Sequence, residues 1–132
     1  MTTTRNAGYK QYVGLYLQKS LKNEEKMITF DDFKKLDIRV GKILSGEKVS
    51  GTDKLMKLEV DFGLEKRQMI AGIAQFFEPD HLIGKEIPVL LNLEPRSFKG
   101  IESQGMILAI DVDGKPVLLH PEKEVPIGSV IR

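Results

Sequence analysis

From Met56 to Phe62 the chain alternates without a fault: Met56, Leu58, Val60 and Phe62 are apolar, while Lys57, Glu59 and Asp61 are charged. Period two is the signature of a half-buried β-strand, whose successive side chains face opposite sides of a sheet. Ile38, Val40 and Leu44 punctuate an earlier strand, with Gly41 and Gly46 at bend or bulge positions. Ser50-Gly51-Thr52-Asp53 is turn chemistry between the two. Arg67–Ile73 reads as a third strand, and Phe76–Gly84, with Pro79, Leu82 and Ile83, as a short helix or looped turn. Glu86–Leu93 and Gly105–Val112 are near-continuous apolar strands, and Asp113-Gly114 is a two-residue hairpin signal leading to Val117–His120. Five principal strands with one short helical interruption after the third predict an all-β OB-fold, a five-stranded Greek-key barrel with short helices.

The first part of the chain follows another period. Tyr9, Tyr12, Val13, Tyr16, Leu17, Ser20 and Leu21 recur at steps of three and four, which predicts one stripe of an amphipathic helix. Residues 1–8 are small and polar and read as a flexible start. Residues 1–26 therefore form an N-terminal extension, partly helical or disordered, and 27–132 the barrel domain. Docking on the barrel explains the tyrosine stripe better than an added RNA or partner contact. At Met27 a second start begins, where Thr29 and Asp32 make a capping box for a turn or two of helix over Phe30–Leu36.

Composition narrows the classes. The 132 residues are 41% hydrophobic and 30% charged, which suits one folded domain. The chain has no Cys, so disulfides, thiolate metal sites and cysteine nucleophiles are excluded. It lacks an apolar run of membrane-spanning length and a signal-peptide core, and a cytoplasmic protein is expected. Charge is uneven. Residues 1–26 hold five Lys or Arg against two Glu, and the remaining 106 hold fifteen against seventeen. The barrel is not a basic protein, so nucleic-acid binding would have to come from a local cluster.

Catalysis has little to work with. His81 and His120 are far apart in sequence, and neither has metal-ligand spacing. Gly46–Gly51 and Gly100–Gly105 copy the glycine spacing of a phosphate loop but lack the Lys-Ser/Thr that must follow. Asp111-Val112-Asp113-Gly114 is better explained as a hairpin turn than as a fragment of a calcium loop. No cofactor, metal or catalytic residue is expected.

The loops carry more. OB-folds receive oligonucleotides on the face of strands two and three and on the loops joining strands one to two and four to five. These loops fall at about Val49–Lys54 and Glu94–Gln104. The second gathers two cations, an aromatic, two hydroxyls and an amide. Arg96 and Lys99 can contact phosphate, Phe98 can stack on a base, and Ser97, Ser103 and Gln104 can hydrogen-bond base edges or 2′-hydroxyls. Arg39 and Lys54 could flank the same surface. Glu94 and Glu102 offset the local charge, and composition alone leaves open an ordinary polar loop with Phe98 tucked beneath it.

Asn92-Leu93-Glu94-Pro95-Arg96-Ser97-Phe98-Lys99-Gly100-Ile101-Glu102-Ser103-Gln104-Gly105-Met106 closely resembles the signature of the tRNA-binding domain family. That family includes free-standing tRNA-binding proteins, the C-terminal domain or β subunit of methionyl-tRNA synthetase, and the endothelial monocyte-activating polypeptide. Leu36–Ile43, Arg67–Ala74 and the Val125–Gly128 ending agree, so the resemblance covers 27–132. It implies an OB-fold homodimer that binds tRNA largely by shape, without catalysis of its own, in support of a methionyl-tRNA synthetase. It carries over Asn92, Arg96, Lys99, Ser103 and Met106, with Lys54 and Arg39 less firmly placed. Asn92 and Ser103 could equally hold the loop by backbone hydrogen bonds, and Met106, at the start of a strand, is expected to pack in the core. One departure is that Val49–Leu55 lacks the His-Pro of many relatives. A sister group of peptide-binding, export-related chaperone dimers shares the fold but lacks the Glu102–Met106 run, so it is the alternative reading.

Overall fold

The computed structural model describes residues 27–132. The amphipathic helix expected before Met27 lies outside the described residues. The chain divides into two units, Met1–Lys35 and Leu36–Arg132.

In the first unit, helix α1 spans Phe30–Lys34. Its capping box forms as the sequence predicts: the Asp32 N–H donates to Thr29 Oγ1 at 3.1 Å, and the Thr29 N–H donates to Asp32 Oδ2 at 3.2 Å. These bonds satisfy two of the N–H groups that a helix start leaves without partners.

The second unit is a nearly closed OB-type barrel. Its strands are β1 (Ile38–Lys48), β2 (Met56–Asp61), β3 (Lys66–Ala71) and, after the four-residue helix α2 (Pro79–Leu82), β4 (Glu86–Leu90). Then come β5 (Arg96–Phe98), β6 (Ile101–Ser103), β7 (Met106–Ile107), β8 (Ala109–Val112), β9 (Lys115–Leu118) and β10 (Val130–Ile131). The main sheet runs β3-β2-β1-β4-β7, all antiparallel, with β10 also on β1.

β1 serves two neighbours. Ile38–Lys42 face β4, and Lys42–Lys48 face β2, with a register shift between Ile43 and Ser45. The shift bends the strand so that one segment borders both halves of the barrel. Gly41 sits where the walls come close, since a Cβ there would lie 2.6 Å from Phe62 Cε1. The alternating set of β2 faces inward: Met56, Leu58 and Val60 are buried with Ile43, Met69, Ile87 and Val89. Leu82 of α2 joins this core, fully buried. Burying such a side chain contributes about 1.5–3 kcal/mol.

Two expectations need correction. Gly105–Val112 is not one strand. Leu108 would pair next with Pro88, and its N–H does reach the Pro88 carbonyl at 3.0 Å. Proline has no N–H to return, so the β4–β7 ladder stops there. The chain then forms a separate β8–β9 hairpin around Asp113-Gly114. The segment Glu94–Gln104 is not simply a loop either; it holds the β5–β6 hairpin.

Candidate nucleic-acid interface

The β5–β6 hairpin pairs Arg96 with Ser103, Ser97 with Glu102, and Phe98 with Ile101. Lys99 and Gly100 make the two-residue turn, with φ of 54° and 78°. Positive φ at both central positions is the tight hairpin turn whose twist matches the flanking strands. Asp113-Gly114 makes the same turn between β8 and β9, with φ of 51° and 80°. There the turn residue is Asp, a type that tolerates the left-handed region, and the neighbouring Asp111 Oδ1 accepts the Gly114 N–H at 2.7 Å. Lys99 has no such local side-chain bond among the described residues, and a long unbranched side chain in that region costs on the order of 1 kcal/mol.

Side chains fasten the hairpin to the edge of β3 and close the barrel. The Gln104 N–H donates to the Gln68 carbonyl at 2.9 Å, and Gln104 Oε1 accepts the Gln68 N–H at 3.1 Å. Gln68 Nε2 donates to the Glu102 carbonyl at 2.9 Å. Ser103 is buried; its Oγ accepts the Ile70 N–H and donates to the Gly105 carbonyl, both at 3.0 Å. Arg67 spans the seam, with Nη1 2.8 Å from the Leu91 carbonyl and 3.2 Å from that of Gln104. At the loop's start, Asn92 Oδ1 accepts the Asp37 N–H at 2.8 Å.

The expected site residues thus separate. Arg96 and Lys99 are exposed, and neither is in an ion pair among the described residues. Phe98 is half-buried, and the Arg96 guanidinium lies 5.0 Å from its ring centroid, so one face of the ring carries the cation. Asn92, Ser103 and Gln104 spend the atoms above on holding the backbone. Met106 is not in the core: it is 39% exposed on β7. Lys54 is exposed in the β1–β2 loop, where Thr52 Oγ1 accepts its N–H at 3.2 Å and the Ala74 N–H reaches its carbonyl at 3.0 Å. Arg39 stands near the start of β1, with Nε 2.8 Å from Asp37 Oδ1. Sequence reasoning gave no role to Arg67 and Gln68. Their only signal was that both lie in a block shared with the family.

No group of three or more His, Asp or Glu is arranged to hold a metal ion among the described residues. His120 Nδ1 lies 2.8 Å from the Glu86 carbonyl, and His81 is exposed on α2. No helix of the described residues is long and apolar enough to cross a membrane. The anchored hairpin thus presents two exposed cations, Arg96 and Lys99, with Glu94 and Glu102 also exposed on the same segment.

Comparison with known proteins gives the family. Residues 38–130 match the family described as "Putative tRNA binding domain". The chain is 52% identical over 109 residues to methionine–tRNA ligase of Methanothrix thermoacetophila, covering 83% of this chain and 16% of that protein. It is 52% identical over 106 residues to methionine–tRNA ligase of Archaeoglobus fulgidus, covering 80% and 16%. The chain thus spans about a sixth of the length of these curated relatives. Among solved structures, a MetRS-related protein from Pyrococcus horikoshii matches with a TM-score of 0.77 and 39% identity, over 81% of this chain and 99% of that one. The chaperone CsaA from Bacillus anthracis matches with a TM-score of 0.74 and 34% identity, over 80% and 99%. With the family match running from the first residue of β1 to the first of β10, and half the residues shared with synthetase segments, the chain belongs to the tRNA-binding domain family.

Proposed function

We propose that the chain is a noncatalytic, cytoplasmic tRNA-binding module in which Arg96 and Lys99 grip the tRNA backbone. The observation that carries this reading is Lys99 itself. An Asn or Asp would satisfy the same turn with less strain, as Asp113 does in the sister hairpin. A lysine at this tip accepts that cost and displays an ammonium at the furthest reach of the hairpin. Arg96, stacked on Phe98, offers a planar cation on which a phosphate or a base can rest. Asn92, Ser103 and Gln104 hold the hairpin in place, Phe98 braces Arg96, and Met106 and Lys54 border the contact.

The substitution Lys99→Asn tests the reading. It should raise stability by up to about 1 kcal/mol, seen as a slightly higher melting temperature, while weakening tRNA binding several-fold. Equal affinity with higher stability would remove Lys99 from the site.

The module acts as a homodimer in support of a methionyl-tRNA synthetase. Two copies would present two rims to one tRNA and offset the modest charge of each barrel. The outer face of β8–β9 supports the dimer: Ile110 and Val117 are cross-strand partners and both are exposed, as are Val112 and Leu119. The synthetase link rests on the ligase segments that share half of their residues with this chain. The likeness to CsaA supports a second reading, a peptide-binding chaperone dimer. Protection of an unfolded client without retention of tRNA would favour it.

A further inference from the structure

The hairpin tip does not stand alone. Lys99 and Ile101 form one wall of an open cleft of about 400 Å³, and Glu47, Lys48, Val49 and Ser50 at the end of β1 form the other. The volume falls within the ~300–1,000 Å³ of small-ligand sites. It can hold one nucleotide but no duplex, whose paired bases are stacked inside the helix. The walls are apolar at Val49 and Ile101, where a base face can lie, and cationic at Lys48 and Lys99 on opposite sides. Ser50 adds a hydroxyl of the kind that pairs with a 2′-hydroxyl. The Glu47 carboxylate is held by Lys57 at 3.1 Å.

The two ammonium groups differ. Lys99 has no ion-pair partner among the described residues, whereas Lys48 Nζ sits 3.0 Å from Glu78 Oε1, just before α2. Both side chains of that pair are largely exposed, at 46% and 66%, so it exchanges easily with another anion. The Glu78 side chain makes no cap bond to α2, so the helix does not depend on it.

We propose that this cleft receives one unpaired ribonucleotide of the bound RNA, and that Lys48 leaves Glu78 to take that nucleotide's phosphate. The inference rests on the tRNA-binding reading and deepens it. A purely shape-reading surface grips the backbone of paired segments, whereas this cleft requires a base free of its partner. Glu78 acts as a resident competitor, lowering affinity for nonspecific anions until a nucleotide fills the cleft.

The test uses the full chain and two fluorescent probes of mixed sequence, a single-stranded RNA dodecamer and the same dodecamer as a blunt duplex. Glu78→Gln should tighten binding of the single strand about two- to fivefold, the scale of an exposed ion pair, and leave the duplex nearly unchanged. Asp80→Asn, the same change of charge two residues away, should do neither. Lys48→Ala should weaken single-strand binding and abolish the gain from Glu78→Gln. No gain from Glu78→Gln, or equal gains for both probes, would overturn the proposal. So would a gain that persists without Lys48. Retention of tRNA that depends on Arg96 and Lys99 would survive that failure, so the two readings fall separately. All three substituted positions are exposed, and thermal melts check that the variants fold.

Discussion

Gln104 pairs with Gln68 as a neighbouring strand would, donating its backbone N–H to the Gln68 carbonyl at 2.9 Å and accepting the Gln68 N–H on its side-chain oxygen at 3.1 Å. An amide side chain thus completes a pair of hydrogen bonds that a ladder would otherwise supply. The edge of β3 is left neither open to other chains nor joined in a long strand pairing. The cation-bearing hairpin inherits its position from this seam.

Replacing Gln104 by Ala should therefore free the Gln68 amide and loosen the hairpin before it unfolds the barrel. The expected cost is about 1 kcal/mol in stability. Hydrogen exchange at Gln68 should accelerate more than at Met69 or Leu58, whose side chains lie in the core. Affinity for tRNA should fall with it, because the cations lose their fixed position.

Ser103→Ala acts more deeply. The Ile70 N–H loses its acceptor at a buried position, and an unsatisfied buried donor costs about 1–3 kcal/mol. Chemical denaturation should show this loss in full. Ser103→Thr keeps the hydroxyl but adds a methyl at a closely packed site, and it should recover part of the stability. A tRNA defect in Ser103→Ala that exceeds the stability defect would make the hydroxyl a direct contact.

Acid reaches α1 through Asp32. Hydrogen bonding to the Thr29 backbone holds the Asp32 carboxyl below its usual value, helped by Lys35 and the Thr29 hydroxyl. A carboxylate with a lowered folded value stabilises its cap above the unfolded value of about 3.9, and that contribution disappears as pH falls through the folded value. Amide signals of Thr29 and Asp32 should therefore shift below about pH 4. Asp32→Asn should abolish this pH dependence.

The strands legible in the sequence were those with a single exposed face. Met56–Phe62 alternates because β2 covers the core with one side and meets water with the other. The β5–β6 hairpin escaped notice because each strand has three residues, too few to display a period. Phe98-Lys99-Gly100-Ile101 held one clue, a glycine at the second turn position. The break at Leu108 was hidden because its cause, Pro88, lies on another strand. In the candidate site, Arg96 and Lys99 were legible as cations in a loop. Ser103 and Gln104 were ambiguous, since hydroxyls and amides serve RNA and backbone alike. Only the geometry of β3 shows what their polar atoms meet.

The most direct measurement is the salt dependence of tRNA binding by the double variant Arg96→Ala/Lys99→Ala beside the native chain. Each phosphate contact contributes about 0.9 to the slope of log affinity against log salt. Loss of both cations should flatten that slope by about two and weaken binding similarly across different tRNAs. A slope and affinity unchanged from the native chain, in a variant that melts normally, would contradict the account.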